Sequence, residues 1–228
     1  MSLILGIETA TKMCSVALSD ENGLLALKEV GGEYSHAENL NSFIADICIE
    51  AGKELSDVDA VAVSKGPGSY TGLRIGVSAA KGFCFSLNIP LISVDTLQAM
   101  AKNPSREIER GVLFCPMIDA RRMEVYTALY DGEGNKTEDI SAKIIDENSF
   151  ANELKVSKIV FFGDGAEKCR TVLESNPNAI FIEDVYPSAK HVNELALEKY
   201  KRKEFEDLAY FEPFYLKDFI ATTPKKLL

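Results

Sequence analysis

Apolar and polar positions along the chain follow two periods, one typical of strands and one typical of helices. Residues 3–7, 14–18 and 24–30 predict three strands, the last two joined by a polar turn at 20–23. Residues 36–51 carry apolar side chains at helical spacing, and residues 35–38, Ser-His-Ala-Glu, have the form of a capping box. The chain therefore begins with antiparallel strands followed by a helix.

The rest of the first half adds two more strands and two more helices. The same patterns predict a strand at 58–63, a glycine-rich loop at 66–72, a helix at 73–87, a strand at 89–94 and a helix after Asp95. Pro104 then lies in a polar break. This break predicts a boundary between a first domain, residues 1–105, and a second, residues 106–228.

The second half begins like the first. An ungapped shift matches Ile7 with Ile118, Glu8 with Asp119, Asp20 with Asp131 and Gly23 with Gly134. A later strand again runs into a G-x-G sequence and a helix, at 159–166. A repeated unit of this kind predicts two similar lobes with mixed sheets, the α/β architecture of actin-like ATPases and sugar kinases. The segment from about 209 to 228 is a candidate to pack back on the first lobe.

Composition and charge exclude several classes of protein. The 228 residues carry a net charge of −10, so the chain lacks the basic field that nucleic-acid-binding proteins present to phosphates. No apolar run reaches the roughly 20 residues of a membrane span, and the start lacks the features of a signal peptide. We expect a cytoplasmic protein that does not bind the membrane and contacts nucleic acid at most through a complex.

The cysteines and histidines offer no metal motif. The five cysteines are far apart, none forms a C-x-x-C pair, and most lie in apolar stretches, which indicates a reducing compartment. The two histidines, His36 and His191, are too distant in sequence to form a helical ligand pair. No metal site and no Ser-His-Asp or Cys-His catalytic set is predicted. His191, on a helix predicted at 189–203, is expected to be structural.

The acids at the two matching strand ends are candidates for a nucleotide site. Backbone amides of a hairpin turn can cradle a phosphate while the acid holds a cation or water. The turn after Glu8 contains the small residues Thr9 and Thr11, whereas the turn after Asp119 is bulky and contains no glycine. The alternative is that Glu8 and Asp119 are simply capped strand ends.

The glycine-rich loop is a second candidate anion site. Gly66, Gly68 and Gly72 fit neither the dinucleotide fingerprint nor the P-loop. The loop nevertheless precedes a helix, whose N-terminus attracts anions, and Ser69 and Thr71 add hydroxyl groups. The alternative is a turn that needs glycine for its backbone angles and for close packing.

The second helix has a stripe of small residues, Gly72, Gly76 and Ala80. Such a stripe lets another backbone approach closely. Its partner is either the protein's own core or, together with the helix at 36–51, another chain. The pattern alone leaves both readings open.

These motifs resemble those of the TsaB family, also called YeaZ. The resemblance rests on G-P-G-S-Y-T-G-L-R-I-G at 66–76, I-E-T-A-T at 7–11 and I-D-A-R-R-M-E-V-Y at 118–126, and the later landmarks are G-D-G-A at 163–166, P-S-A at 187–189 and P-F-Y-L-K at 213–217. It covers nearly the whole chain. One departure is Glu8, where the family commonly has Asp.

The resemblance implies an actin-like fold and a non-catalytic role in the synthesis of threonylcarbamoyladenosine on tRNA. It implies a heterodimer with the catalytic subunit TsaD, recruitment of the ATPase TsaE to that pair, and a homodimer when the chain is alone. No cofactor is required by this chain, and ATP or ADP with Mg²⁺ is an option for the complex. The resemblance places the dimer face on the helices at 36–51 and 73–87, with the candidate contacts His36, Leu40, Phe43, Ile44, Ile47, Arg74, Gly76 and Ala80.

Two other functions stay open on the sequence. A stand-alone ATPase or small-molecule kinase would use Glu8 and Asp119 in the cleft between the lobes. A peptidase is a weaker alternative, because no ligand set for a catalytic metal is evident.

Overall fold

The structure is a computed structural model that describes residues 2–32, 35–102 and 111–217. The predicted boundary at 105, the side chain of Ser35 in the predicted capping box and the tail 218–228 lie outside the described residues. The first lobe contains β1 (Ile4–Glu8), β2 (Met13–Asp20), β3 (Gly23–Gly31), α1 (Ser35–Ala51), β4 (Ala60–Gly66), α2 (Tyr70–Leu87), β5 (Leu91–Asp95) and α3 (Thr96–Ala101).

The second lobe follows the same order, with α4 and α5 shorter and α6 longer than their counterparts in the first lobe. Its elements are β6 (Leu113–Asp119), β7 (Glu124–Tyr130), β8 (Lys136–Ile144), α4 (Glu153–Val156), β9 (Ile159–Phe162), α5 (Ala166–Leu173), β10 (Ala179–Phe181) and α6 (Ala189–Lys201). None of the described helices is long and apolar enough to span a lipid bilayer.

Both sheets are mixed and have the same topology, which confirms the predicted duplication and fold class. The strand orders are β3-β2-β1-β4-β5 and β10-β9-β6-β7-β8. In each, the first three strands are antiparallel and the last two run parallel to the first. The registers differ at the first hairpin: Glu8 pairs with Ser15, whereas Asp119 pairs with Val125. The second hairpin is therefore one residue shorter than the ungapped repeat predicts.

Alternation along the strands gives the first sheet two buried faces. Leu5 and Ile7 point into a cluster with α1 and α2, while Ile4 points into a cluster with α6. On β4, Val61 and Val63 likewise face α1 and α2. Since side chains of a strand alternate between faces, a continuous apolar strand requires helices on both sides.

One helix of each lobe packs against the sheet of the other lobe. Leu97 and Met100 of α3 pack in one cluster with Phe114 and Tyr130 of the second sheet. In return α6, the last helix of the second lobe in sequence, covers the first sheet through Val192 and other apolar residues. The lobes therefore share buried surface as well as a linker.

Candidate functional site

The carboxyl group of Glu8 lies beneath the first hairpin turn, fully buried. Its Oε1 accepts a hydrogen bond from the backbone N–H of Ala10 at 2.6 Å, and its Oε2 is buried without a hydrogen-bond partner among the described residues. Burial raises the pKa of Glu8 to about 7, against the lowering effect of the hydrogen bond from the Ala10 N–H. The group is thus held inside the lobe instead of facing a cleft.

The turn that follows Glu8 packs directly on the glycine-rich loop. The N–H of Ser69 donates to the carbonyl of Ala10 at 2.6 Å, and the hydroxyl of Thr9 donates to the carbonyl of Gly72 at 2.8 Å. The hydroxyl of Ser69 caps α2 by accepting from the N–H of Gly72 at 3.3 Å. Helix α2 therefore begins at Tyr70, three residues before its predicted start.

The glycines of this loop are required for that contact. A Cβ atom on Gly68 would lie 2.3 Å from the carbonyl oxygen of Ala10, and one on Gly72 would lie 2.1 Å from that of Thr9. The space and the Ser69 amide that a phosphate would need are taken by the chain's own turn. The residues present therefore do not fit a phosphate cradle, and close packing accounts for the glycines.

The remaining residues of the predicted anion site lie elsewhere. Thr9 and Thr11 are buried in the turn, whereas Thr71 is exposed on α2. Asp119 is exposed, accepts a hydrogen bond from the N–H of Arg121 at 3.0 Å and forms an ion pair with Lys168. Glu8 and Asp119, equivalent in the repeat, thus lie in opposite environments.

Most of the apolar residues predicted for a partner interface belong to the protein's own core. Five of them are buried beneath α1 and α2: Leu40, Ile44, Ile47, Gly76 and Ala80. Phe43 is half-buried against the same cluster. The physical reason is that the broad apolar side of each helix covers the sheet, so the surface available to a partner consists of the residues between those positions.

The surface of α1 and α2 is a second stripe on each helix. On α1 it contains Ala37, Asn41, Ala45 and Ile49, beside the exposed residues Glu38, Ser42, Asp46 and Glu50, and on α2 it contains Thr71, Arg74, Ser78 and Phe85, beside Gly82 and Ser86. Ile49 is 78% exposed and Phe85 is 82% exposed. Small and apolar side chains that lie open on two adjacent helices are typical of a surface that binds another protein. The sequence held this signal in the helical positions left over once the core stripe is removed.

Between the two helices lies an open groove of about 490 Å³. His36 lines it, and its Nε2–H donates to the carbonyl of Thr11 at 2.7 Å, while burial lowers the pKa of the imidazole. Arg74 and Ser78 line the side formed by α2. The groove connects the exposed stripes of the two helices into one face, which we call the α1–α2 face.

Ligands for a metal ion do not come together. Within the described ranges, no three His, Cys, Asp or Glu side chains are placed to hold a metal. All five cysteines are free thiols in buried positions, and burial raises the pKa of Cys115, for example, to about 12. Thiols of this kind are poor nucleophiles at neutral pH.

Two duplicated lobes with mixed sheets define a protein of the actin-like ATPase, sugar-kinase-like fold. A solved component A of the (R)-2-hydroxyglutaryl-CoA dehydratase from Acidaminococcus fermentans shares this fold, with a TM-score of 0.51 and 11% identity over 90% of this chain and 100% of that one. The family model described as TsaD, tRNA N6-adenosine threonylcarbamoyltransferase, matches residues 32–225.

Similar proteins identify the family to which the chain belongs within this fold. The tRNA threonylcarbamoyladenosine biosynthesis protein TsaB of Haemophilus influenzae is 30% identical over 98% of this chain and 96% of its own length. A solved protein from Pseudomonas aeruginosa, described as uncharacterized with similarity to peptidase YeaZ, superposes with a TM-score of 0.83 at 28% identity, over 95% of this chain and 100% of that one. The chain belongs to the TsaB (YeaZ) family.

Proposed function

We propose that the chain is a non-catalytic scaffold subunit in the synthesis of threonylcarbamoyladenosine on tRNA, and that it pairs with the threonylcarbamoyltransferase TsaD through the α1–α2 face. The observation that carries this proposal is the exposure of two large apolar side chains, Ile49 and Phe85, on adjacent helices of a chain that matches a biosynthesis protein over almost its full length. A face of this kind buries apolar area on association.

The glycine-rich loop supports a non-catalytic role. Its Ser69 amide and the space beside its glycines are occupied by the turn at Thr9 and Ala10, so this part of the first lobe contacts its own backbone and leaves no room for a phosphate. The loop then serves to fix the start of α2 relative to the sheet. Because α2 is fixed in this way, α1 and α2 can serve together as the docking surface.

The tRNA, TsaE and any nucleotide are bound by the assembled complex. A chain with a net charge of −10 is poorly suited to neutralise phosphates, so tRNA contact belongs to the assembled complex. TsaE joins the TsaB–TsaD pair, and any ATP or ADP with Mg²⁺ is bound by that assembly. Without TsaD, the same face pairs two copies of this chain in the cytoplasm.

The test is to mix the purified chain with TsaD and to measure the mass of the complex by light scattering. We expect a one-to-one heterodimer at micromolar concentration, and formation of the modified nucleoside by the complete set of components only when this chain is present. Absence of a complex, or transfer activity that does not need the chain, would contradict the proposal.

A charge on the α1–α2 face should break the complex. Ala45→Glu places a carboxylate on the exposed stripe of α1, and we expect roughly 100-fold weaker association, since a charge must be desolvated in the interface. Val156→Glu, at a site on the second lobe that is 83% exposed, is the matched control and should bind normally. Equal affinities for the two variants would place the interface elsewhere.

A further inference from the structure

Residues 205–217 have no regular secondary structure, but they are firmly attached to the first lobe. The N–H of Glu206 donates to the carbonyl of Leu91 at 2.9 Å, in an antiparallel bridge at the edge of β5. Further along, the amino group of Lys81 on α2 donates to two carbonyls of the segment, at 3.1 and 3.3 Å. We call residues 205–217 the C-terminal clasp.

The clasp then crosses the glycine-rich loop. The N–H of Phe214 donates to the carbonyl of Lys65 at 2.7 Å. A Cβ atom on Gly66 would lie 2.7 Å from the carbonyl oxygen of Phe214, and Gly66 has a φ of +111°. The loop is therefore packed between the first hairpin turn on one side and the clasp on the other, which fixes where the next residue of the clasp lies.

That residue, Tyr215, packs with its ring tilted against Tyr70, the first residue of α2. The ring centroids of Tyr215 and Tyr70 are 4.8 Å apart at an interplanar angle of 37°. Arg74 donates from Nη1 to the hydroxyl of Tyr70 at 3.0 Å, and its guanidinium lies 5.1 Å from the centroid of the same ring. Two tyrosines and an arginine thus hold one another in place at the rim of the groove.

The arginine of this cluster is available to a partner. Among the described residues, no carboxylate lies within ion-pairing distance of Arg74, although Arg74 is exposed and lines the groove. A guanidinium held by an aromatic ring loses little conformational entropy when it binds a carboxylate. Tyrosine and arginine are also the residue types most enriched at the centres of protein interfaces.

We infer that the C-terminal clasp extends the α1–α2 face, and that its cluster of Tyr215, Tyr70 and Arg74 binds a carboxylate-bearing surface of the TsaD chain. The inference rests on the proposed function and names a part of the interface that lies outside the two helices. The TsaD family model matches residues 32–225, which include both helices and the clasp. The partner therefore has an equivalent helix pair, and two like faces can meet in a pseudo-twofold arrangement.

The experiment compares the affinity of the intact chain and its variants for TsaD by biolayer interferometry. We expect Tyr215→Ala to weaken binding roughly 10- to 100-fold, as for an interface hot spot, and Tyr215→Phe to stay near the wild-type affinity because the aromatic ring remains. Tyr186→Ala, which removes a part-exposed tyrosine from the second lobe, is the matched control and should leave binding unchanged.

A second variant separates direct contact from loss of structure. Arg74→Ala should weaken binding to a similar extent, and the double variant Tyr215→Ala/Arg74→Ala should lose less than the product of the two single effects, since the residues act as one unit. If Tyr215→Ala binds TsaD normally while Ala45→Glu loses binding, the inferred role of the clasp is wrong and the proposed function still holds. Failure of the wild-type chain to bind TsaD would overturn both.

Discussion

At the scale of single residues, the two acids of the repeat occupy equivalent positions in their sheets but different environments. Glu8 and Asp119 both end the first strand of their sheets. Glu8 is fully buried, and one of its oxygens has no hydrogen-bond partner in the described part of the chain, whereas Asp119 is exposed and paired with Lys168. A carboxyl group in the first environment favours its neutral form, because burial removes the water that would stabilise its charge.

The stability of the protein should therefore depend on pH through Glu8. Because the folded state raises the pKa of Glu8 from 4.5 to about 7, the folded state binds the proton more tightly than the unfolded chain. The stabilisation by the protonated carboxyl group is fully present below pH 4.5, the pKa in the unfolded chain. It is lost as the pH rises from there through about 7, the pKa in the folded state. From 1.36 kcal/mol per pKa unit, we expect the loss to approach roughly 3 kcal/mol.

Urea denaturation at pH 5 and pH 8 measures this effect. Glu8→Gln keeps the acceptor for Ala10 and cannot ionise, so it should raise the free energy of unfolding at pH 8 and change it much less at pH 5. Glu147→Gln, at an exposed position, is the control and should show the wild-type pH dependence. A variant Glu8→Gln that is less stable than wild type at pH 8 would show that the buried carboxylate is stabilising.

At the scale of elements, α2 serves two surfaces at once. Its inner stripe of Gly72, Gly76 and Ala80 is buried, and Gly72 and Gly76 pack against the turn at Thr9. Its outer stripe, which includes Arg74 and Ser78, lines the groove with α1. The small residues of α2 therefore pack against the protein's own core. The residues on the other side of the helix form the surface proposed for a partner.

Two glycines of α2 should respond in opposite ways to alanine. Gly72→Ala should destabilise the protein by about 1–3 kcal/mol, because its Cβ would lie 2.1 Å from the carbonyl oxygen of Thr9. Gly82→Ala meets no atom within 4 Å, and should stabilise the protein by roughly 0.5–1 kcal/mol through helix propensity and backbone entropy. Thermal and urea unfolding of both variants provide the comparison, and equal effects would contradict the packing assigned to Gly72.

At the scale of the whole molecule, the fold has kept the duplication and given the two lobes different local chemistry. The strand orders of the sheets correspond strand by strand. However, α6 covers the first sheet, and the C-terminal clasp follows it along the same lobe as far as Phe214, before Lys217 forms an ion pair with Glu124 of β7. The clasp thus touches both lobes, and α1, α2 and α6 all pack on the first sheet.

This arrangement predicts that the chain by itself binds nucleotide weakly. Calorimetry with Mg-ATP should show a dissociation constant above about 1 mM, since the Ser69 amide already donates within the chain and is not available as part of an anion site. Submillimolar binding that is abolished by Glu8→Ala, together with turnover, would instead favour a stand-alone ATPase or small-molecule kinase.

The sequence by itself determined the order of the elements, the duplication and the family, because strand and helix periods, turn residues and the segment at 66–76 are local signals. It also determined that glycine is needed in that loop, since both open readings required it. Only the tertiary structure showed what fills the space beside Gly68 and Gly72, because those atoms come from residues 9 and 10. For the same reason, it decided which side of each helix stays exposed and brought Tyr215 onto Tyr70, contacts that depend on packing between segments far apart in the chain.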